Sequence, residues 1–171
     1  MSLRVVSGGQ TGADRAALDA AQEFGIETGG WCPRGRRAEN GRIPDGYPLR
    51  ETPSEAVAQR TEWNVRDSDA TLLLVLDAMD RGTAYTEEQA RAYGKPLRVV
   101  ELTAPDGRDD RGKVSESSAR QPVEEKAIEI ARWLNGREVS VLNVAGPRES
   151  NAPGLYRVAR VFLERLFEAV D

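Results

Sequence analysis

The chain has 171 residues, with 24 Lys or Arg against 28 Asp or Glu, so its formal net charge is −4. This length suits one domain, and the slight acidic excess argues against a general nucleic-acid binder. The sequence contains no His and a single Cys, Cys32. These counts exclude His-dependent catalytic triads, His-ligated metals, Cys-cluster zinc sites and an intrachain disulfide. No signal peptide or membrane-spanning run is evident, so we expect a cytoplasmic protein whose partners include neither nucleic acid nor a membrane.

Short apolar runs alternate with helical patterns along one predicted domain, residues 1–171. This alternation predicts an α/β fold, with a mostly parallel sheet and helices on both faces. Ligands of such folds bind beyond the carboxyl ends of the strands. In chain order, the predicted elements are a strand at Leu3–Val6, a helix at Thr11–Phe24, a short strand from Ile26, a long loop at 29–51, a helix starting within Thr52–Glu55, a strand at Thr71–Leu76, a helix at Thr83–Tyr93, a strand at Leu97–Leu102, a surface insertion at 103–122, a helix from Val123, a strand at Val139–Val144 and a helix at Leu155–Val170.

The first strand-to-helix turn is rich in glycine and opens a helix. Small residues there let the backbone approach a ligand, and the N–H groups at the helix start face an anion. The turn lacks the first glycine of the dinucleotide pattern, and Ala13-Asp14 stands where a Walker motif needs Lys and Ser or Thr. We expect Gly9→Asp to abolish ligand binding and leave the fold largely intact. The predicted phosphate cradle comprises Ser7, Gly8, Gly9, Gln10, Thr11 and Gly12.

A plain structural role is the alternative for this turn, with Thr11 and Asp14 forming a capping box. Asp14 is otherwise a puzzle, because its charge opposes a bare phosphate. We therefore expect Asp14 either to cap the helix or to hold a Mg²⁺ ion that the ligand brings.

Two further turns follow strands at the same predicted edge of the sheet. The second turn offers Gly82 and Thr83 at a helix start. The third offers a glycine, a hydroxyl and a guanidinium that would pair with an anion. A capped turn without ligand is the alternative for each. The third group of predicted ligand contacts comprises Gly146, Arg148, Glu149 and Ser150.

The long loop at 29–51 adds several arginines. We assign Arg34 and Arg36 to a lid over the ligand, with a solvated basic loop as the alternative. No pair of carboxylates has a spacing that indicates acid–base catalysis, so no catalytic or metal-binding residue is assigned.

Six blocks of sequence, in order through nearly the whole chain apart from residues 103–122, resemble the molybdenum cofactor carrier family. The resemblance implies a three-layer Rossmann-like fold, related to the lysine-decarboxylase-like group of nucleotide-handling proteins. It also implies that the protein binds the molybdenum cofactor (molybdopterin), a pterin bearing a phosphate, as a carrier or storage protein without chemistry on it. A homo-oligomer, dimer or tetramer, is a further implication. The blocks are SGGQTGADRAALDAA, GGWCPRGRRAENGRIP, YPLRETPS, RTEWNVRDSDATLLL, GTAYTEEQA and LNVAGPRESNAPGLY.

An enzyme is the main alternative. Phosphoribohydrolases related to this group carry a P-G-G-x-G-T-x-x-E motif, whereas the matching stretch here, residues 79–86, lacks the Pro-Gly-Gly start. Thr86 takes the place of the glutamate, although Glu87 follows it. The missing carboxylate argues against N-glycosidic hydrolysis, which needs one to stabilise developing positive charge. A nucleotide-sensing module that acts with a partner protein is the third interpretation.

Overall fold

Fully apolar strands and amphipathic helices assemble into a parallel sheet between two helical layers. The computed structural model describes residues 2–103 and 116–171. Its strands are Arg4–Val6 (β1), Glu27–Gly29 (β2), Trp31–Cys32 (β3), Arg37–Ala38 (β4), Gly41–Arg42 (β5), Arg50–Glu51 (β6), Ala70–Val75 (β7), Leu97–Glu101 (β8) and Val141–Ala145 (β9). Its helices are Ala13–Glu23 (α1), Val57–Arg66 (α2), Arg81–Ala92 (α3), Glu116–Asn135 (α4) and Leu155–Ala169 (α5), with a 3₁₀ turn at Glu149–Asn151.

The main sheet has the strand order β2-β1-β9-β7-β8, and every neighbouring pair is parallel. All six residues of β7 are buried, because helices cover both faces of that strand. Right-handed crossovers place α1, α4 and α5 on one face and α2 and α3 on the other. The packing agrees, since α5 contacts α1 and α4 while α2 contacts α3. The prediction of a Rossmann-like α/β fold with helices on both faces is therefore confirmed.

The larger hydrophobic core lies between the sheet and the α1–α4–α5 layer. Leu72 and Leu74 point into this core, so the alternation along a strand sends Leu73 to the opposite face. The apolar stripe of α5 packs against alanines of α1, whose small side chains let the two helices approach closely. Phe162 of α5 is fully buried in this core.

The region at 29–51 is more ordered than the predicted irregular loop. It contains a parallel pair, β3 with β6, and an antiparallel pair, β4 with β5. A small second core forms beneath it from Leu18, Cys32, Ile43 and Leu49. Strands of two residues are too short to show a periodic pattern, so the Gly- and Pro-rich sequence hides them.

Two predicted helix starts are wrong. The helix expected to begin within Thr52–Glu55 begins at Val57, and the Thr52 hydroxyl donates to the carbonyls of Cys32 and Ser54 instead of capping the helix. The helix expected from Val123 already begins at Glu116, since a helix needs only one apolar face to continue through polar residues. The rest of the predicted surface insertion, 104–115, lies outside the described residues. No helix within the described part of the chain is long and apolar enough to cross a membrane.

Candidate functional site

The three turns singled out from the sequence meet at one cleft, at the carboxyl ends of β1, β9 and β7. The cleft has a volume of about 580 Å³, and Gly8, Gly82 and Gly146 each line it from a different turn. The fourth wall is the inner face of α2. Parallel strands bring their carboxyl ends to the same edge, so turns that are far apart in sequence become neighbours.

The first turn is closed by its own side chains. The Ser7 hydroxyl donates to the carbonyl of Asp14 and accepts the N–H of Gly9. The Gln10 N–H donates to Asp14 Oδ2 at 3.2 Å, and the Thr11 N–H donates to Gln10 Oε1 at 3.0 Å. The Ser7 N–H donates to the Gly29 carbonyl at 3.2 Å, so four N–H groups of the predicted phosphate cradle are already used inside the protein. Among the described residues no side chain caps α1, so the predicted capping box of Thr11 and Asp14 is wrong.

Two glycines of this turn serve contacts within the protein. Gly9 has a φ of +73°, and a Cβ there would lie 2.5 Å from Leu49 Cδ1 of the small second core. Gly9→Asp would therefore disturb the fold, and the expectation that it leaves the fold intact is wrong. Gly12 has a φ of +79°, and a Cβ there would lie 2.4 Å from the Pro147 carbonyl oxygen. Gly12 thus lets the first and third turns touch.

A buried ion pair forms one end of the cleft. Arg60 of α2 donates from Nη1 to the Gly8 carbonyl at 2.9 Å, and the same nitrogen lies 3.5 Å from Asp14 Oδ2. Both side chains are about nine-tenths buried or more. Burial raises the pKa of Asp14 to about 6, although the Arg60 charge and backbone hydrogen bonds oppose that shift. Asp14 therefore takes up a proton far more readily than an exposed aspartate.

Asp80 also lines the cleft and joins the second and third turns. It caps α3, since Oδ1 accepts the Thr83 N–H at 2.8 Å and the Thr83 hydroxyl at 2.7 Å. Its Oδ2 accepts from the Asn151 side chain at 2.8 Å. Burial opposes the ionisation of Asp80, but these hydrogen bonds and the charge of Arg148 outweigh it and hold its pKa below the ordinary value.

The predicted residues of the third turn have two different roles: one lines the cleft and two stabilise the turn. Arg148 is exposed and lines the cleft. Glu149 turns away to the start of α5, where its carboxylate accepts the N–H groups of Gly154 and Tyr156 at 2.6 and 2.9 Å. Ser150 binds the carboxylate of Glu39 through its N–H and its hydroxyl. Glu149 and Ser150 thus hold the turn in place.

The two arginines assigned to a lid have different environments. Arg34 is exposed and pairs with Glu55 at 3.3 Å, outside the cleft as the described residues define it. Arg36 is buried, and its guanidinium donates to four backbone carbonyls at 2.8 to 3.1 Å. Those carbonyls belong to Ile43, Pro44, Tyr47 and Leu49, so Arg36 organises the 29–51 region from within.

Five of the predicted ligand contacts line the cleft: Gly8, Gln10, Gly82, Gly146 and Arg148. The remaining predicted residues of the three turns are not among the residues that line the cleft. They are Ser7, Gly9, Thr11, Gly12, Thr83, Glu149 and Ser150.

Sequence reasoning missed the contribution of α2. Val57, Arg60, Thr61 and Asn64 all line the cleft and recur at helical spacing. A helix face that is mostly polar at this spacing could have indicated a polar cleft. Asp80 was also missed, although an aspartate just before a helix start is an ordinary capping signal.

The chemistry of the cleft suits an anionic ligand with polar edges. Three arginines, Arg60, Arg81 and Arg148, line it together with two aspartates, Asp14 and Asp80. Amides and hydroxyls supply further donors and acceptors. Within residues 2–103 and 116–171, no three Cys, Asp or Glu side chains converge as a metal site requires.

Residues 5–167 match the model of the circularly permutated YpsA SLOG family. The structure is similar to the crystal structure of a "Putative molybdenum carrier protein" from Syntrophus aciditrophicus SB. The TM-score is 0.83 and the sequence identity 40%, over 96% of this chain and 95% of that chain. No curated protein matches the chain. These findings confirm the resemblance to a molybdenum carrier-like family that the six sequence blocks indicated.

Proposed function

Because this chain belongs to the circularly permutated YpsA SLOG family, we propose that its cleft binds a phosphorylated small molecule. We further propose that this ligand is the molybdenum cofactor, carried or stored without chemistry. The observation that supports this most is that two exposed arginines, Arg81 and Arg148, line one cleft at the carboxyl ends of parallel strands. The similar protein from Syntrophus aciditrophicus SB bears the name of a molybdenum carrier, which favours this ligand among phosphorylated compounds.

The size and polarity of the cleft agree with a ligand of this kind. Pockets for small molecules commonly hold roughly 300–1,000 Å³, and 580 Å³ lies within that range. A pterin carries amide and amino groups along its ring edge, and three amide side chains line the cleft, each with one end outside the hydrogen bonds described for it: Gln10, Asn143 and Asn151. The molybdenum atom is held by the dithiolene of the cofactor itself, so the protein needs no His or Cys ligands.

We place the phosphate at the end of the cleft where Arg81, Gly82 and Arg148 converge. Arg81 and Gly82 open α3, whose dipole is positive at this end. The ionised Asp80 caps the same helix end, so the charges of Arg81 and Arg148 must outweigh it for a phosphate to bind here. Gly8 and Gly146 also line the cleft. The lid role expected of Arg34 and Arg36 has no part in this placement, because Arg34 lies outside the cleft and Arg36 is engaged by carbonyls.

One observation favours a second candidate, an enzyme that hydrolyses a phosphorylated nucleoside. The carboxyl groups of Asp14 and Asp80 both line the cleft, and their environments move their pKa values in opposite directions. A pair of this kind can act as acid and base. Release of free base or phosphate from nucleotides, lost in Asp80→Asn, would support this candidate against the carrier.

A thermal-shift panel on the wild-type protein tests the binding proposal. The compounds are the molybdenum cofactor prepared anaerobically, its pterin precursors, AMP, ATP, NAD and ribose phosphates. A ligand at about 100 times its Kd adds about 2.7 kcal/mol to the free energy of unfolding. For a chain of this size the melting temperature should rise by roughly 5–10 °C. We expect this rise with the molybdenum cofactor, and a rise with nucleotides alone would contradict the proposal.

Variants of the cleft arginines locate the site. Arg148→Ala and Arg81→Ala should each weaken binding by roughly 10- to 100-fold, because each removes a charge-assisted hydrogen bond to the phosphate. Arg34→Ala is the matched control, since Arg34 is also exposed but lies outside the cleft. Equal affinities for Arg148→Ala and wild type would place the ligand elsewhere.

A further inference from the structure

A carboxylate outside the cleft joins two of the turns that form it. Glu39 lies at the tip of the β4–β5 hairpin, and its Oε1 accepts from the Thr11 hydroxyl of the first turn. The same oxygen accepts the Ser150 N–H of the third turn at 3.2 Å, and Oε2 accepts the Ser150 hydroxyl. The Thr11 hydroxyl also accepts the Glu149 N–H at 3.1 Å. The hairpin tip and the two turns therefore share one hydrogen-bond network.

The hairpin depends on contacts made beyond its own strands. Each strand has only two residues, and a hairpin this short is not stable by itself. Its base is anchored by the buried Arg36. Its tip is tied to the first turn, since the Glu39 N–H donates to Gln10 Oε1 at 2.9 Å and Arg15 donates to the Asn40 side chain at 2.9 Å. The Glu39 carboxylate extends these ties to the third turn.

The third turn carries Arg148, which comes directly before the residues that this network holds. Hydrogen bonds from Ser150 and Thr11, together with the charge of Arg148, hold the pKa of Glu39 below its usual range. The charge of Arg148 also contributes to lowering the pKa of Asp80. Both carboxylates therefore stay ionised at neutral pH.

We propose that Glu39 is a positioning residue that fastens the hairpin tip to the first and third turns and so holds Arg148 in place for the ligand. Glu39 itself does not line the cleft as the described residues define it. The inference rests on the proposed function, because the turn it holds belongs to the same binding cleft. A turn whose backbone is already fixed loses less conformational entropy when its arginine binds an anion, so the anion binds more tightly.

Hydrogen exchange of backbone amides in the ligand-free protein tests whether Glu39 holds the first and third turns in place. Glu39→Ala should speed exchange in residues 8–12 and 146–151, because both turns lose a shared partner. Glu39→Gln, which keeps an acceptor oxygen, should restore much of the protection. Glu55→Ala is the matched control, since Glu55 is an exposed carboxylate that pairs with Arg34. Unchanged exchange at 146–151 in Glu39→Ala would overturn the proposal.

Calorimetric titration with the anaerobic molybdenum cofactor tests the consequence for binding. We expect Glu39→Ala to bind on the order of tenfold more weakly, with Glu39→Gln close to wild type and Glu55→Ala equal to it. Wild-type affinity in Glu39→Ala would overturn the positioning role, even where exchange had accelerated. If the wild-type protein does not bind the molybdenum cofactor, the proposed ligand is wrong. The exchange experiment alone then decides whether Glu39 holds the two turns in place.

Discussion

Replacing Asp14 by asparagine should change how the stability of the protein depends on pH. The Asp14 carboxyl is buried beside Arg60, and burial raises its pKa from the ordinary 3.8 to about 6. The folded protein therefore holds this proton more tightly than the unfolded chain. The stability that Asp14 contributes is fully present below pH 3.8 and is lost as the pH rises through about 6. The asparagine side chain of the variant has nearly the same shape as aspartate, but it does not ionise in this pH range.

The size of the effect follows from the two pKa values. A pKa difference of one corresponds to about 1.4 kcal/mol, so the rise from 3.8 to about 6 is worth about 3 kcal/mol. The free energy of unfolding of Asp14→Asn, minus that of the wild type, should therefore rise by about 2.4 kcal/mol between roughly pH 4 and pH 7. Other carboxylates contribute to both proteins and cancel in this difference.

Urea unfolding of the two proteins at half-unit steps of pH measures this difference. The slopes of the unfolding free energy against urea must agree between the two proteins for the comparison to hold. A difference that stays constant across this range would show that Asp14 is not a buried carboxyl with a raised pKa. It would also show that Asp14 cannot act as the acid in the alternative enzyme.

Three further substitutions test the packing around the cleft by the same unfolding assay. Arg36→Lys should cost about 2 kcal/mol or more, because one ammonium group cannot satisfy four buried carbonyls; a loss too small to measure would show that water replaces the guanidinium. Gly12→Ala should cost about 1–3 kcal/mol, because of its positive φ and the contact with the Pro147 carbonyl, and full stability would mean that the two turns separate freely. Phe162→Ala should cost about 3–5 kcal/mol in the larger core, and a loss below about 1 kcal/mol would contradict its full burial.

The sheet and its carboxyl edge could be predicted because their signals are local. The apolar run of β7 and the amphipathic stripe of α5 are visible in short stretches of sequence, and topology then brings the three turns to one edge. The order within 29–51 could not be predicted in this way. It depends on Arg36, whose four carbonyl partners are set by the folded chain and leave no periodic pattern.

In the candidate site, too, residues with a local sequence signal could be predicted, and residues defined by contacts between distant segments could not. Arg148 could be found because it lies within three residues of the end of a strand, in a turn that contains a glycine. Arg60 could not, since its burial against Asp14 requires knowing which face of α2 covers the cleft. Glu39 is an exposed residue of a Gly- and Arg-rich stretch, and its link to Ser150 spans 111 positions of sequence. Interactions of this kind become visible only when the fold is known.

Calorimetric titration of the wild-type protein under anaerobic conditions, with the molybdenum cofactor and separately with AMP, ATP and NAD, tests the central claim most directly. The account predicts saturable binding of the molybdenum cofactor, weakened by Arg148→Ala and unaffected by Arg34→Ala. Saturable binding of a nucleotide, with no heat from the molybdenum cofactor, would contradict the carrier function and favour the enzyme.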